Sequence, residues 1–177
     1  MKRIIFFVLT LSLFACDGNS ELLKSVAKGE SEQLHQLIES GEDVNQRNNY
    51  GWTALMFAAQ NGDVAMLSYL VEKGANLNAT DHAGWTALNR AAQEGHAQAV
   101  EKLLDLGAET EIKTKKGWTP LLWAVQRDNV EVVDLLVKRG ADIQAKTEDG
   151  RVPLMIAVSE EHNEILQILQ KAGAKAW

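Results

Sequence analysis

Residues 51–63 read GWTALMFAAQNGD, residues 84–96 read GWTALNRAAQEGH and residues 117–129 read GWTPLLWAVQRDN, each beginning 33 residues after the one before. The same interval organises nearly the whole chain. Gly18, Gly51, Gly84, Gly117 and Gly150 form one ladder, and Gly41, Gly74, Gly107, Gly140 and Gly173 form a second. Leu22, Leu55, Leu88, Leu121 and Leu154 keep the period between them, as do Ala58, Ala91, Ala124 and Ala157. A gapless period of this length, five units long, specifies stacked copies of one supersecondary unit.

Each unit divides into two helices. Thr53, Thr86 and Thr119 stand where an N-cap oxygen accepts from the first turn, and Pro120 and Pro153 suit the position after it. The first helix ends near Gly29, Gly62 and Gly95, which take the left-handed conformation of a helix end. A second helix follows, with Met66, Leu67, Leu70 and Val71, or Val132, Val133, Leu135, Leu136 and Val137, at helical spacing, and it stops at the second glycine ladder. A helix pair this small cannot bury its apolar stripe alone, so neighbours must stack. The terminal units are expected to act as caps. Gln33, His35 and Gln36 dilute the first, while Glu164, Gln167, Gln170 and Lys171 alternate with apolar residues in the last. Both outer faces should then meet water, and the free chain should be a monomer.

The three quoted motifs, each followed by a helix and by KGAN, LGAE or RGAD, resemble the ankyrin repeat over residues 17–177. That resemblance implies an all-α solenoid of five 33-residue helix-turn-helix units with short hairpin connections, whose concave face binds another protein. Some positions depart from the family pattern. The usual His after Thr-Pro-Leu is replaced by Met56, Asn89, Leu122 and Met155, so packing is expected to replace its polar stitching. Asp128 and Glu161 stand at the inter-helix glycine position, and Arg151-Val152 replaces Trp-Thr, which predicts a less regular carboxyl end.

The amino end differs in kind. Lys2 and Arg3 precede an uncharged run of 12 residues, Ile4 to Ala15, whereas a membrane span needs about 20. Residues 1–15 are expected to be a signal peptide, 16–19 a lipidated Cys16 with a short tether, and 20–177 the repeat domain. Leu13-Phe14-Ala15-Cys16 resembles the bacterial lipobox, with Phe14 bulkier than usual. An ordinary secreted chain with a leftover thiol and a retained anchor are the competing outcomes. Cys16 is the sole cysteine, so no intramolecular disulfide exists. The expected location is the bacterial cell envelope, lipid-anchored and facing the periplasm; Asp17 favours the inner membrane, with the outer still open. Cleavage before Cys16 leaves 16 basic against 24 acidic residues, a net charge of -8. Nucleic acid is a poor partner for that balance.

Nothing in the sequence converges on catalysis or on a cofactor. The glycines have a helix-end period that no phosphate loop shares. His35, His82, His96 and His162 are too dispersed for a metal site, and Ser159 with His162 lacks an orienting acid. The protein is therefore expected not to be an enzyme, with an envelope hydrolase the remotest alternative.

Aromatic residues mark the binding face instead. Trp52, Trp85 and Trp118 follow the first glycine ladder, and Phe57, Arg90, Trp123 and Ile156 fill the variable site before the repeated Ala. Tyr50, His82, Lys115, Lys116 and Arg127, with Asn49, Glu148, Asp149, Gln60, Glu94 and Glu160, complete a polar rim. An aromatic centre with a polar rim is interface anatomy, although indoles packing hairpin on hairpin would have the same spacing. The expected function is an inhibitor or immunity factor that binds a secreted or periplasmic effector enzyme, a basic toxin being suited to the acidic chain. A scaffold or adaptor for an envelope complex is the alternative.

Cys16→Ser is expected to abolish fatty-acid incorporation and processing, because a hydroxyl cannot replace the thiol in that reaction. Metabolic labelling decides, and label surviving the substitution overturns the lipoprotein expectation.

Overall fold

Thr86 shows how a unit begins. Its Oγ1 accepts from the Asn89 amide at 3.2 Å while Asn89 Oδ1 accepts from the Thr86 amide at 3.0 Å, a reciprocal capping box. Asn89, one of the departures from the family pattern, thus satisfies the Thr86 amide, and the reciprocal pair leaves two backbone donors bonded within the unit. Thr119 caps through the Leu122 amide at 3.3 Å, with Pro120 in the next position. Thr53, expected to cap likewise, makes no side-chain cap bond. The Met56 amide there donates to the Thr53 carbonyl at 3.1 Å.

The computed structural model describes residues 18–175, so the expected signal segment and Cys16 lie outside the described residues. Ten helices and no strand occur among them. They are α1 (Glu21–Lys28), α2 (Ser31–Glu39), α3 (Ala54–Asn61), α4 (Val64–Glu72), α5 (Ala87–Glu94), α6 (Ala97–Asp105), α7 (Pro120–Gln126), α8 (Val130–Lys138), α9 (Pro153–Ser159) and α10 (Asn163–Lys171). Five helix-turn-helix units follow, as the period requires. The inner helices α1, α3, α5, α7 and α9 pack in one row, and α4, α6, α8 and α10 pack outside them in a second. The repeated Ala58, Ala91, Ala124 and Ala157 are buried between inner helices, where a small side chain allows close approach. Leu22, Leu55, Leu88 and Leu121 fill the space beside them.

Polar residues at the start of the outer helices join one unit to the next. His96 Nε2 bonds the Gln60 carbonyl at 2.9 Å, and Asn129 Nδ2 donates to the Ala92 and Gln93 carbonyls at 2.8 and 3.0 Å. His162 uses Nδ1 on the Val125 carbonyl at 2.9 Å. The carbonyls satisfied are those a helix leaves orphaned at its carboxyl end. This contact also explains Gly62: φ is +71°, and a Cβ there would lie 2.8 Å from His96 Cγ. Asp128 and Glu161 hold the equivalent turn at φ 58° and 61° with side chains present, a strained conformation for either. His96 and His162, too dispersed for a metal site, are therefore inter-unit ties.

The caps are unequal. At the amino end Glu21 pairs with Lys24 at 2.8 Å, and Ser25, in the register of the repeated Ala, donates to the Leu22 carbonyl at 2.7 Å. At the carboxyl end Met155 and Val158 are 37% and 59% exposed, although their counterparts Met56, Asn89 and Leu122, and Ala59, Ala92 and Val125, are fully buried. These positions face the following unit. The expectation that both outer faces are polar is corrected: the substitutions on α10 cap the outer row, but α9 keeps the apolar pattern of an internal unit.

Gly62→Ala should lower the denaturant midpoint more than Gly29→Ala, because both pay about 1 kcal/mol for the left-handed conformation but only Gly62 has a neighbour in the way. Glu161→Gly should raise the midpoint by removing the same strain. Chemical denaturation at unchanged slope checks the order.

Candidate protein interface

One buried polar residue closes each hairpin. Asn48 Oδ1 accepts from the Tyr50 and Trp52 amides at 2.9 and 3.0 Å, and Asp81 Oδ1 accepts from Ala83 and Trp85 at 2.8 and 2.9 Å. Thr114 and Thr147 do the same through Oγ1 for Trp118 and Arg151. Each hairpin then bonds to its neighbour: the His82 amide donates to the Tyr50 carbonyl, Lys115 to Ala83 and Glu148 to Lys116, at 2.9, 2.8 and 3.2 Å. Glycine is required where they touch. A Cβ on Gly84, at φ +82°, would meet the Lys115 nitrogen at 2.9 Å. The projecting rim is thus a backbone-bonded row with side chains in fixed register.

Behind the rim the aromatic residues form a continuous column. The Arg90 guanidinium lies between two indoles, 3.9 Å from the Trp52 ring centre and 4.3 Å from that of Trp85. Trp85 stacks on Trp123 at 4.5 Å and 29°, and Trp123 meets Trp118 at 4.6 Å. Phe57 touches Trp52 at 4.9 Å, and Arg151 lies 5.7 Å from the Trp118 ring centre. Side chains from four successive units therefore contact one another in sequence, from Phe57 to Arg151.

Arg90 is held from a second side. Its Nη2 lies 2.6 Å from Asp81 Oδ2, so one Asp81 oxygen closes the hairpin and the other pairs the cation in the column. Burial pushes the Arg90 guanidinium below its ordinary value, and the hydrogen bond and charge of Asp81 oppose that shift. Asp81 is the one acid among the four closing residues, and Arg90 the one base among their partners nine positions on. That correspondence was visible in the sequence and was missed, because Asn48, Asp81, Thr114 and Thr147 are of three residue types.

The predicted site residues divide into two sets. Phe57 and Trp118 are each only 8% exposed, which corrects the expectation of exposed aromatic side chains at those positions. Trp52, Trp85, Arg90 and Trp123 are half-buried in the column. Tyr50, at 54%, projects from the rim, together with exposed His82, Lys115, Lys116 and Arg127. Asn49, Glu94, Glu148, Asp149 and Glu160 are exposed beside them, and Gln60 is partly so. Among the described residues no group of three His, Cys, Asp or Glu side chains is placed to hold a metal ion. An open groove of about 440 Å³ lies on the outer side, lined by Leu104, Ala108, Glu109, Glu111 and Arg139, away from the column.

A family model described as ankyrin repeats, in three copies, matches residues 22–114 and 90–177. No curated protein matches the chain.

Arg90→Met should destabilise the fold by about 3–5 kcal/mol, since it leaves the Asp81 charge buried without its partner. Adding Asp81→Asn, which supplies the same hairpin acceptor as Asn48, should recover much of the loss. Unfolding midpoints of the two single variants and the double variant measure the coupling.

Proposed function

The chain belongs to the ankyrin-repeat family and is a protein–protein interaction module, and on that premise we propose that it acts in the bacterial envelope as an inhibitor or immunity factor against a secreted or periplasmic enzyme. The observation that carries the reading is the rim: Tyr50, His82, Lys115 and Lys116 project in fixed register from a row braced by the buried column, with Arg127 exposed at the end of α7. A row held in place before binding loses little freedom when a partner docks, which favours tight capture. Family members are typically non-enzymatic binding modules, so inhibition by covering a partner's surface suits this architecture.

Location supports the enzyme as target. A signal segment followed by a lipidated Cys16 would tether the first unit close to the bilayer, on the side where an effector enzyme arrives. The net charge of -8 after processing favours encounter with a basic protein. Half-buried Trp52, Trp85 and Trp123 keep part of their surface exposed, so the partner would meet aromatic surface flanked by polar groups.

Tyr50→Ala should weaken capture of the partner enzyme at least about tenfold while leaving the unfolding midpoint unchanged. Trp123→Ala should lower both, because Trp123 also joins two neighbours in the column. Crosslinking in the native envelope identifies the partner, and an activity assay with added chain tests inhibition. Captured proteins that have no enzymatic activity, and whose complex fails to assemble without this chain, would replace the inhibitor by the scaffold.

A further inference from the structure

We propose that, in place of the monomer expected from the sequence, the carboxyl-terminal end face pairs with the same face of a second copy, forming a closed tail-to-tail dimer. Met155 and Val158 are two of the three large hydrophobic side chains found exposed among the described residues, and they lie one turn apart on α9. Leu166 on α10 joins them: it is partly exposed, whereas its counterparts Leu67, Val100 and Val133 are fully buried. Exposed Ser159, Asn163 and Gln170 border the three without adding charge to the centre. This is the surface on which each internal unit seats the next one.

The opposite end decides which partner fits. Glu21 and Lys24 lie on the amino-terminal face as an ion pair, with side chains 61% and 37% exposed. Head-to-tail stacking would press Met155 and Val158 onto those charged groups and strip their hydration. Pairing apolar face with apolar face avoids that cost, and a two-fold operator closes the assembly at two copies. Charge fixes the orientation. Within the last unit Glu160, Glu161 and Glu164 lie at the inter-helix turn, whereas at the hairpin edge exposed Lys146, Lys171 and Lys175 outweigh Glu148, and Asp149 is paired with Arg151. An antiparallel pairing of α9 with its copy sets the acidic edge of each chain against the basic edge of the other. A parallel pairing would set acid against acid.

Cysteine crosslinking of full-length chains in intact cells tests this, with two differently tagged copies that each carry Val158→Cys. A short membrane-permeant bismaleimide should give mixed-tag dimers that the parent chain, whose single cysteine is Cys16, does not give. Adding Met155→Glu should cut their yield about tenfold or more, while the chain accumulates normally and keeps its unfolding midpoint. Normal accumulation without mixed-tag dimers overturns the proposal, as do adducts to a different protein alone. Stronger linking between Val158→Cys and Lys28→Cys copies than between two Val158→Cys copies also overturns it, because that pattern marks a head-to-tail array.

Discussion

Burial of one helix pair against the next is the contact on which everything else in this protein rests. An inner helix of seven or eight residues is too short to persist alone, and one pair has no side on which to hide its stripe. The recurrent Ala on α3, α5, α7 and α9 lets the inner helices approach, and the recurrent Leu fills what remains. Once that spacing is set, the hairpins of successive units fall within hydrogen-bonding distance, and the rim follows from the core. The same dependence makes the ends the critical places. A unit that keeps the internal pattern but has no following unit among the described residues, as with α9, leaves apolar side chains exposed there.

Polar groups add direction to this packing. Hydrophobic burial is indifferent to small rotations, whereas the ties from His96, Asn129 and His162 to carbonyls of the preceding unit permit one register. A second set works on the outer turns, where Asn45 takes the Asn76 amide, Asn78 the Glu109 amide and Glu111 the Asp142 amide. Each bond satisfies a backbone group that neighbouring helices would otherwise leave unpaired. The ties tolerate exchange among His, Asn and Glu because each needs only a donor or acceptor at the right height.

The column from Phe57 to Arg151 shows how one surface can serve both stability and binding. A row of indoles in water would be costly, but stacking and the inserted guanidinium bury Trp118 and leave Trp52, Trp85 and Trp123 only partly exposed. The buried Asp81–Arg90 pair adds little net stability over an apolar pair, yet it holds Arg90 against its own hairpin, from where the guanidinium contacts Trp52 of the preceding one. The result is a stiff support for the exposed side chains of the rim.

The amino-acid sequence alone determined the architecture. A strict period of 33, with glycine, Thr or Pro and Leu at fixed offsets, admits one solution because each offset answers a local demand: a positive φ, a helix start or a buried stripe. The helix pairs, their number and the left-handed turn at Asp128 and Glu161 were legible in this way. Tertiary structure decided which aromatic residues were buried. Periodicity places Trp52, Trp85, Trp118, Phe57 and Trp123 on one side of the solenoid, but whether a ring points into a neighbour or into water depends on what stands beside it one unit away. Phe57 and Trp118 go inside, and Tyr50 stays out. The open face at Met155 and Val158 was hidden for the same reason, since a residue's burial is set by the unit that follows it, and the last unit has none among the described residues.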